Sequence, residues 1–111
     1  MISFKSRATE SVMMFDEVGK QLLDIMGKVY SPDGIITVEQ LPQAIERLNR
    51  AAEQDREAAR ARVLAEEQAA EEEGVAVPPR AIGLSQRAVP LIDILTRSLK
   101  AQEPVIWVQG A

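Results

Sequence analysis

Apolar and polar residues alternate over Ile2-Ser-Phe-Lys5, the period-two pattern of a short half-buried strand. The period then lengthens. Val12, Phe15, Val18, Leu22, Ile25 and Met26 recur at helical spacing, which predicts a first helix capped by Thr9 or Ser11 and closed by Gly27 at C′. Asp16 is a rival N-cap that would leave Val12 to Phe15 extended; the longer helix is the preferred reading. Gly19 falls near its apolar face, where glycine costs roughly 1 kcal/mol against alanine. Close approach of another helix is the expected reason.

Ser31-Pro-Asp-Gly34 has turn chemistry, with proline suited to the second position and glycine to the fourth. Ile35-Ile36 is then a brief extended piece. Thr37-Val-Glu-Gln40 fits a capping box, and Leu41, Ile45 and Leu48 open a long helical stripe. The stripe fades to Ala59 and Val63. Asp55 and Arg62 stand where a heptad needs apolar residues, so no coiled coil is predicted. A helix from Pro42 to Glu73 would be about 48 Å long at 1.5 Å per residue. A domain of this size is roughly 35 Å across, so the helix overhangs the body or frays. Glu71, Glu72 and Glu73 lie at its negative dipole end. One domain, 1–111, is expected, with 65–80 as a mobile acidic helix end followed by a linker, Gly74-Val-Ala-Val-Pro-Pro-Arg80.

The last helix opens with Leu84-Ser-Gln-Arg-Ala-Val-Pro-Leu-Ile-Asp-Ile-Leu95. With Ser85 as N-cap, Pro90 lies fifth in the helix and cannot donate to the carbonyl of Gln86. Val89 is pushed away from helical geometry by the ring that follows it. The pattern predicts two pieces: one turn over Ser85 to Ala88, a bend, then a main helix with Pro90 in its first turn. Thr37 and Pro42 repeat the spacing. Ala88, Leu91, Ile92, Leu95 and Leu99 form the apolar face, Glu103-Pro104 ends the helix, and Val105-Ile-Trp-Val108 is a second strand. The predicted fold is mostly helical α+β: three principal helices and two short terminal strands. If consecutive elements alternate in direction, those strands pair in parallel.

Composition narrows the chemistry. The chain has 111 residues and neither cysteine nor histidine, so thiol catalysis, thiolate metal sites and histidine bases are excluded. Carboxylate and carbonyl oxygens remain as metal ligands. The net charge is −4, and Glu53 to Glu73 carries −5 of it with eight acids and three arginines. An acidic chain repels the phosphate backbone, so nucleic acid is not an expected partner. No apolar run is long enough to span a bilayer or serve as a signal peptide, so no membrane partner and a cytoplasmic location are expected.

Arg87 is the residue that folding explains least, because a cation in a helix's first turn opposes the dipole. Two readings compete. Ser85, Gln86 and Arg87 could form an anion site from free backbone N–H groups and a guanidinium; or Arg87 could pair with an acid of the long helix or with Glu103, which is the favoured reading. Asp93 is expected to face solvent, Trp107 to cover the helices, and Glu66, Glu67 and Glu71 to Glu73 to form a solvated face rather than a metal site.

The segments "FKSRA", "VMMF…LLDIMGK", "GIITVEQLPQAIERL" and "SQRAVPLIDIL…VIW" together resemble a proteobacterial family called domain of unknown function 1840. Ala51 to Arg80 matches less well and looks like a variable insert. The resemblance implies a bacterial cytoplasmic protein; it brings no activity, cofactor or catalytic residue. The leading functional reading is a non-enzymatic interaction or structural module that binds an unidentified protein partner, or itself as a homodimer through the long helix or a strand edge. The alternative is a small-molecule or anion binder using Ser85 to Arg87. An enzyme lacking His and Cys would need paired carboxylates or an activated lysine, and no such spacing is seen.

Overall fold

The computed structural model describes residues 1–73 and 83–110. Seven elements follow in chain order: β1 (Ile2–Ser6), β2 (Thr9–Met14), α1 (Asp16–Met26), β3 (Asp33–Ile36), α2 (Leu41–Glu73), α3 (Leu84–Ala101) and β4 (Val105–Gln109). The strands form one sheet in the order β2-β1-β4-β3, and every neighbouring pair is antiparallel. The fold is mixed α+β with a four-stranded sheet, not helices with a two-stranded ribbon.

The predicted terminal strands do pair, and they form the centre of the sheet: Phe4 lies opposite Trp107, and Lys5 opposite Ile106. Their direction is antiparallel, contrary to the alternation argument. Parity locates the cause. β2 and β4 both oppose β1, and β3 opposes β4, so β2 and β3 run in opposite directions. Two reversals around α1 would leave them running the same way, so one of those links does not reverse the chain. It carries the chain from one edge of the sheet to the other.

β2 replaces the first half of the expected helix. Thr9 and Ser11 are strand residues, not caps, and Val12 to Met14 pair with Ile2 to Phe4. The helix begins at Asp16 after an extended Phe15 (φ −62°, ψ 147°). The hairpin escaped detection because its turn is Arg7-Ala8, without the glycine or asparagine that marks tight turns; the Ala8 N–H donates to Ser6 Oγ at 3.1 Å instead. Gly27 closes α1 as expected, with φ +83° and Lys28 N–H donating to the Leu23 carbonyl at 2.9 Å. The Ser31–Gly34 turn is also corrected: Asp33 and Gly34 already belong to β3.

One face of the sheet meets the helices. Ile2, Phe4, Ile36, Val105 and Trp107 join Leu22, Leu23, Leu41, Leu48, Leu91, Ile94 and Leu95 in one buried cluster. Two glycines permit the closest approaches. A Cβ on Gly19 would overlap Ile2, so α1 lies directly on a strand rather than on another helix. A Cβ on Gly34 would overlap the indole of Trp107, whose N–H donates to the Ser31 carbonyl at 3.1 Å. Trp107 thus closes the core at β3, with Lys28 Nζ 5.9 Å from its ring centroid.

The apolar stripe of α2 is spent early: Leu41, Ala44, Leu48 and Ala52 are buried, whereas Ala65 to Ala69 are exposed. The helix nevertheless continues to Glu73. The molecule is accordingly long, 53 × 26 × 23 Å, with a radius of gyration of 16.8 Å against about 13 Å for a compact chain of this length. The expected linker at 74–80 lies outside the described residues.

Gly34→Ala is expected to displace the indole and destabilise the fold by about 1–3 kcal/mol, the usual cost of overpacking. Trp107 is the chain's one tryptophan, so a red-shifted emission and a lower urea midpoint report the change. Unchanged values would contradict the packing described.

Candidate functional site

The helix end proposed as an anion site is already occupied from within the chain. α3 is one continuous helix from Leu84, with Gly83 in the N-cap position; Ser85 is not the cap, and the helix is not broken between Ala88 and Pro90. Pro90 sits inside the helix, and the Gln86 carbonyl loses its i+4 donor. Starting the helix earlier sets Val89 and Pro90 within a frame of already-formed turns, which the two-piece reading did not allow for. The echo at Thr37 does follow that reading: Gln40 Oε1 accepts from the Thr37 N–H at 3.1 Å, a turn precedes α2, and Pro42 is its second residue.

Each residue of the candidate site can now be placed. Ser85 is half-buried, and its N–H donates to Asp55 Oδ2 of α2 at 3.2 Å. Gln86 is exposed, and its Oε1 accepts from the Gly83 N–H at 3.2 Å. Arg87 is exposed and, among the described residues, makes no ion pair. The acid of the long helix therefore meets the backbone of this helix end, not the guanidinium. Gly83 makes the approach possible, because a Cβ there would lie 2.9 Å from Asp55 Oδ2. Asp55 serves as an N-cap in trans: a carboxylate at the positive end of a helix dipole. This also explains why a charged residue interrupts the stripe of α2. Spacing within one helix could not reveal a partner 30 residues away.

The other charged candidates form solvated pairs. Arg97 Nε meets Asp93 at 3.1 Å, and Arg50 meets Glu46 at 2.7 Å. The hydrogen bond from Arg56 to Glu53, at 2.7 Å, and the charges of Arg56 and Arg60 lower the Glu53 pKa from its ordinary value. Among the described residues no three acidic side chains gather where they could hold a metal ion. No described helix is long and apolar enough to cross a membrane.

A second candidate surface lies on the sheet, on the side away from the helices. Alternation points Met13, Ser3, Lys5, Ile106, Val108, Asp33 and Ile35 to that side. The register joins them into rows: Met13, Ser3, Val108 and Asp33 in one, Lys5, Ile106 and Ile35 in the next. Ser3 is buried, whereas Met13 is 55% exposed, Ile35 45% and Ile106 41%. The sequence reading missed this surface because it assigned Val12 to Phe15 to a helix and counted only two strands. With four strands in register, Ile106, Val108 and Ile35 become one patch, and Met13 stands apart from it across Ser3 and Lys5.

Asp55→Ala is expected to cost about 1 kcal/mol, the usual loss on removing a helix cap, while Arg87→Ala leaves the urea midpoint nearly unchanged. Equal and negligible effects from both substitutions would contradict the cap in trans.

No curated protein and no solved structure matches the chain. A family model does match, over residues 1–107, and so spans β1 to Trp107 of β4, the whole arrangement just described. The chain belongs to the family described as domain of unknown function (DUF1840).

Proposed function

We propose that the chain is a non-enzymatic interaction module of the bacterial cytoplasm, and that it recognises its partner through the uncovered face of the sheet. The observation that carries this reading is the exposure of Ile106 and Ile35, directly opposite each other on β4 and β3, with Val108 beside them on β4. Scattered exposed apolar residues need no explanation, but a contiguous patch rimmed by polar groups marks an interaction surface. The rim here is Lys5, Ser11 and Asp33, all exposed. The patch is built on hydrogen-bonded strands and needs no reordering to bind.

The anion-binding alternative is less well supported. Its backbone donors at Gly83 and Ser85 are taken by Gln86 and Asp55, and the Asp55 carboxylate would repel an anion at this helix end.

A photo-crosslinking amino acid placed at Ile106 in living host cells is expected to capture a protein. The same group at Arg50, which is 66% exposed on α2, is expected to capture none. Absence of any adduct from Ile106 would overturn this reading.

A further inference from the structure

We infer that the partner seated on the open sheet face is a second copy of this chain, related by a two-fold axis running along β4. The inference rests on the reading of that face as the recognition surface, and adds an identity for what covers it.

A two-fold contact presents the same patch on both sides, so the patch must match its own rotated image. β4 lies between β1 and β3 in the sheet. Its outward residues, Ile106 and Val108, are apolar. On the strands flanking that centre the charges are opposite: Lys5 on β1 and Asp33 on β3. Rotation about an axis along β4 exchanges left and right. It lays β1 of one copy over β3 of the other, so each Lys5 falls in the column of the partner's aspartate. Lys5 is level with Ile106 and Asp33 with Val108, an offset of two residues or about 7 Å along the strand, which an extended lysine spans. Symmetry supplies the contact twice.

Net charge supports the same conclusion. The chain carries −4, so two copies repel through most of their surfaces. Within the overlap of β1, β4 and β3, Lys5 and Asp33 cancel; Glu10, which the bulge of β2 sets opposite Lys5, stands on the overhanging edge strand. The acids of Glu53 to Glu73 lie on α2 and not on the sheet.

The contact is small. The rotation leaves β2 without a strand opposite it, so three strands overlap; at about 4.8 Å spacing and five residues of about 3.3 Å, they give a projected area of roughly 240 Å². A stable interface covers about 800 Å² per partner. The dimer is therefore reversible and concentration-dependent.

Sedimentation velocity from about 1 µM to about 500 µM brackets weak association. The wild-type chain is expected to pass from monomer to dimer across this range. Ile106→Thr, which keeps a β-branched residue in the strand, is expected to weaken the dimer at least tenfold. Lys5→Asp and Asp33→Lys are each expected to weaken it about tenfold, and the double exchange to restore it; circular dichroism confirms that each variant is folded. A wild-type monomer throughout, a dimer insensitive to Ile106→Thr, or a double exchange without recovery would each overturn the inference. Failure here is separable from failure of the interaction reading: an Ile106 crosslink to a different protein refutes self-association and keeps the face, whereas no crosslink removes both.

Discussion

The structure depends on the pairing of its first strand with its last. β1 and β4 are separated by nearly the whole chain, yet they are the two inner strands of the sheet, and each supports one edge strand. Ile2, Phe4, Val105 and Trp107, all buried, form the floor on which the helices pack. Closing a loop this long costs chain entropy that grows only slowly with length. It is offset by ladder hydrogen bonds and by burial of apolar side chains at about 25 cal/mol per Å². Ser98 ties the last helix to the same floor: its Oγ lies 2.7 Å from Ser6 Oγ and donates to the Ile94 carbonyl at 2.6 Å.

The parts of the fold legible in the sequence were those set by one segment's own pattern. Ile2 to Lys5 and Val105 to Val108 are strands, Gly27 closes α1, Gln40 supports the turn into α2, and that helix outruns its apolar stripe. What stayed hidden depends on partners distant in the chain. The helical spacing of Val12 and Phe15 is coincidental, because pairing with β1 draws Thr9–Met14 into the sheet. Ile35-Ile36 read as extended but gained its meaning only from Ile106 and Val105 opposite. In α3 the buried set is Ala88, Leu91, Ile94, Leu95 and Ser98, so the face sits slightly round from the predicted stripe, toward β1 and Ser6. At the candidate site a long-range contact was hidden in the same way: Arg87 stood out in the sequence, while the acid that reaches that helix end is Asp55.

The architecture is one-sided, and that asymmetry gives the chain its functional character. Three helices lie against one face of the sheet, and the chain supplies no described element to cover the other. The resulting surface is apolar along β4 and bears opposite charges on either side of it. A scaffold whose centre is made from its two ends holds that surface rigid.

Native-state amide hydrogen exchange tests the central claim most directly. Inner strands with hydrogen-bonded neighbours on both sides should open only on global unfolding. The amides of β1 and β4 are therefore expected to be the slowest in the molecule and to share one opening free energy, above that of β2 and β3. Fast exchange in β4 while the α2–α3 pair stays protected would contradict the account, because it would show that the helices hold together without the strand pair beneath them.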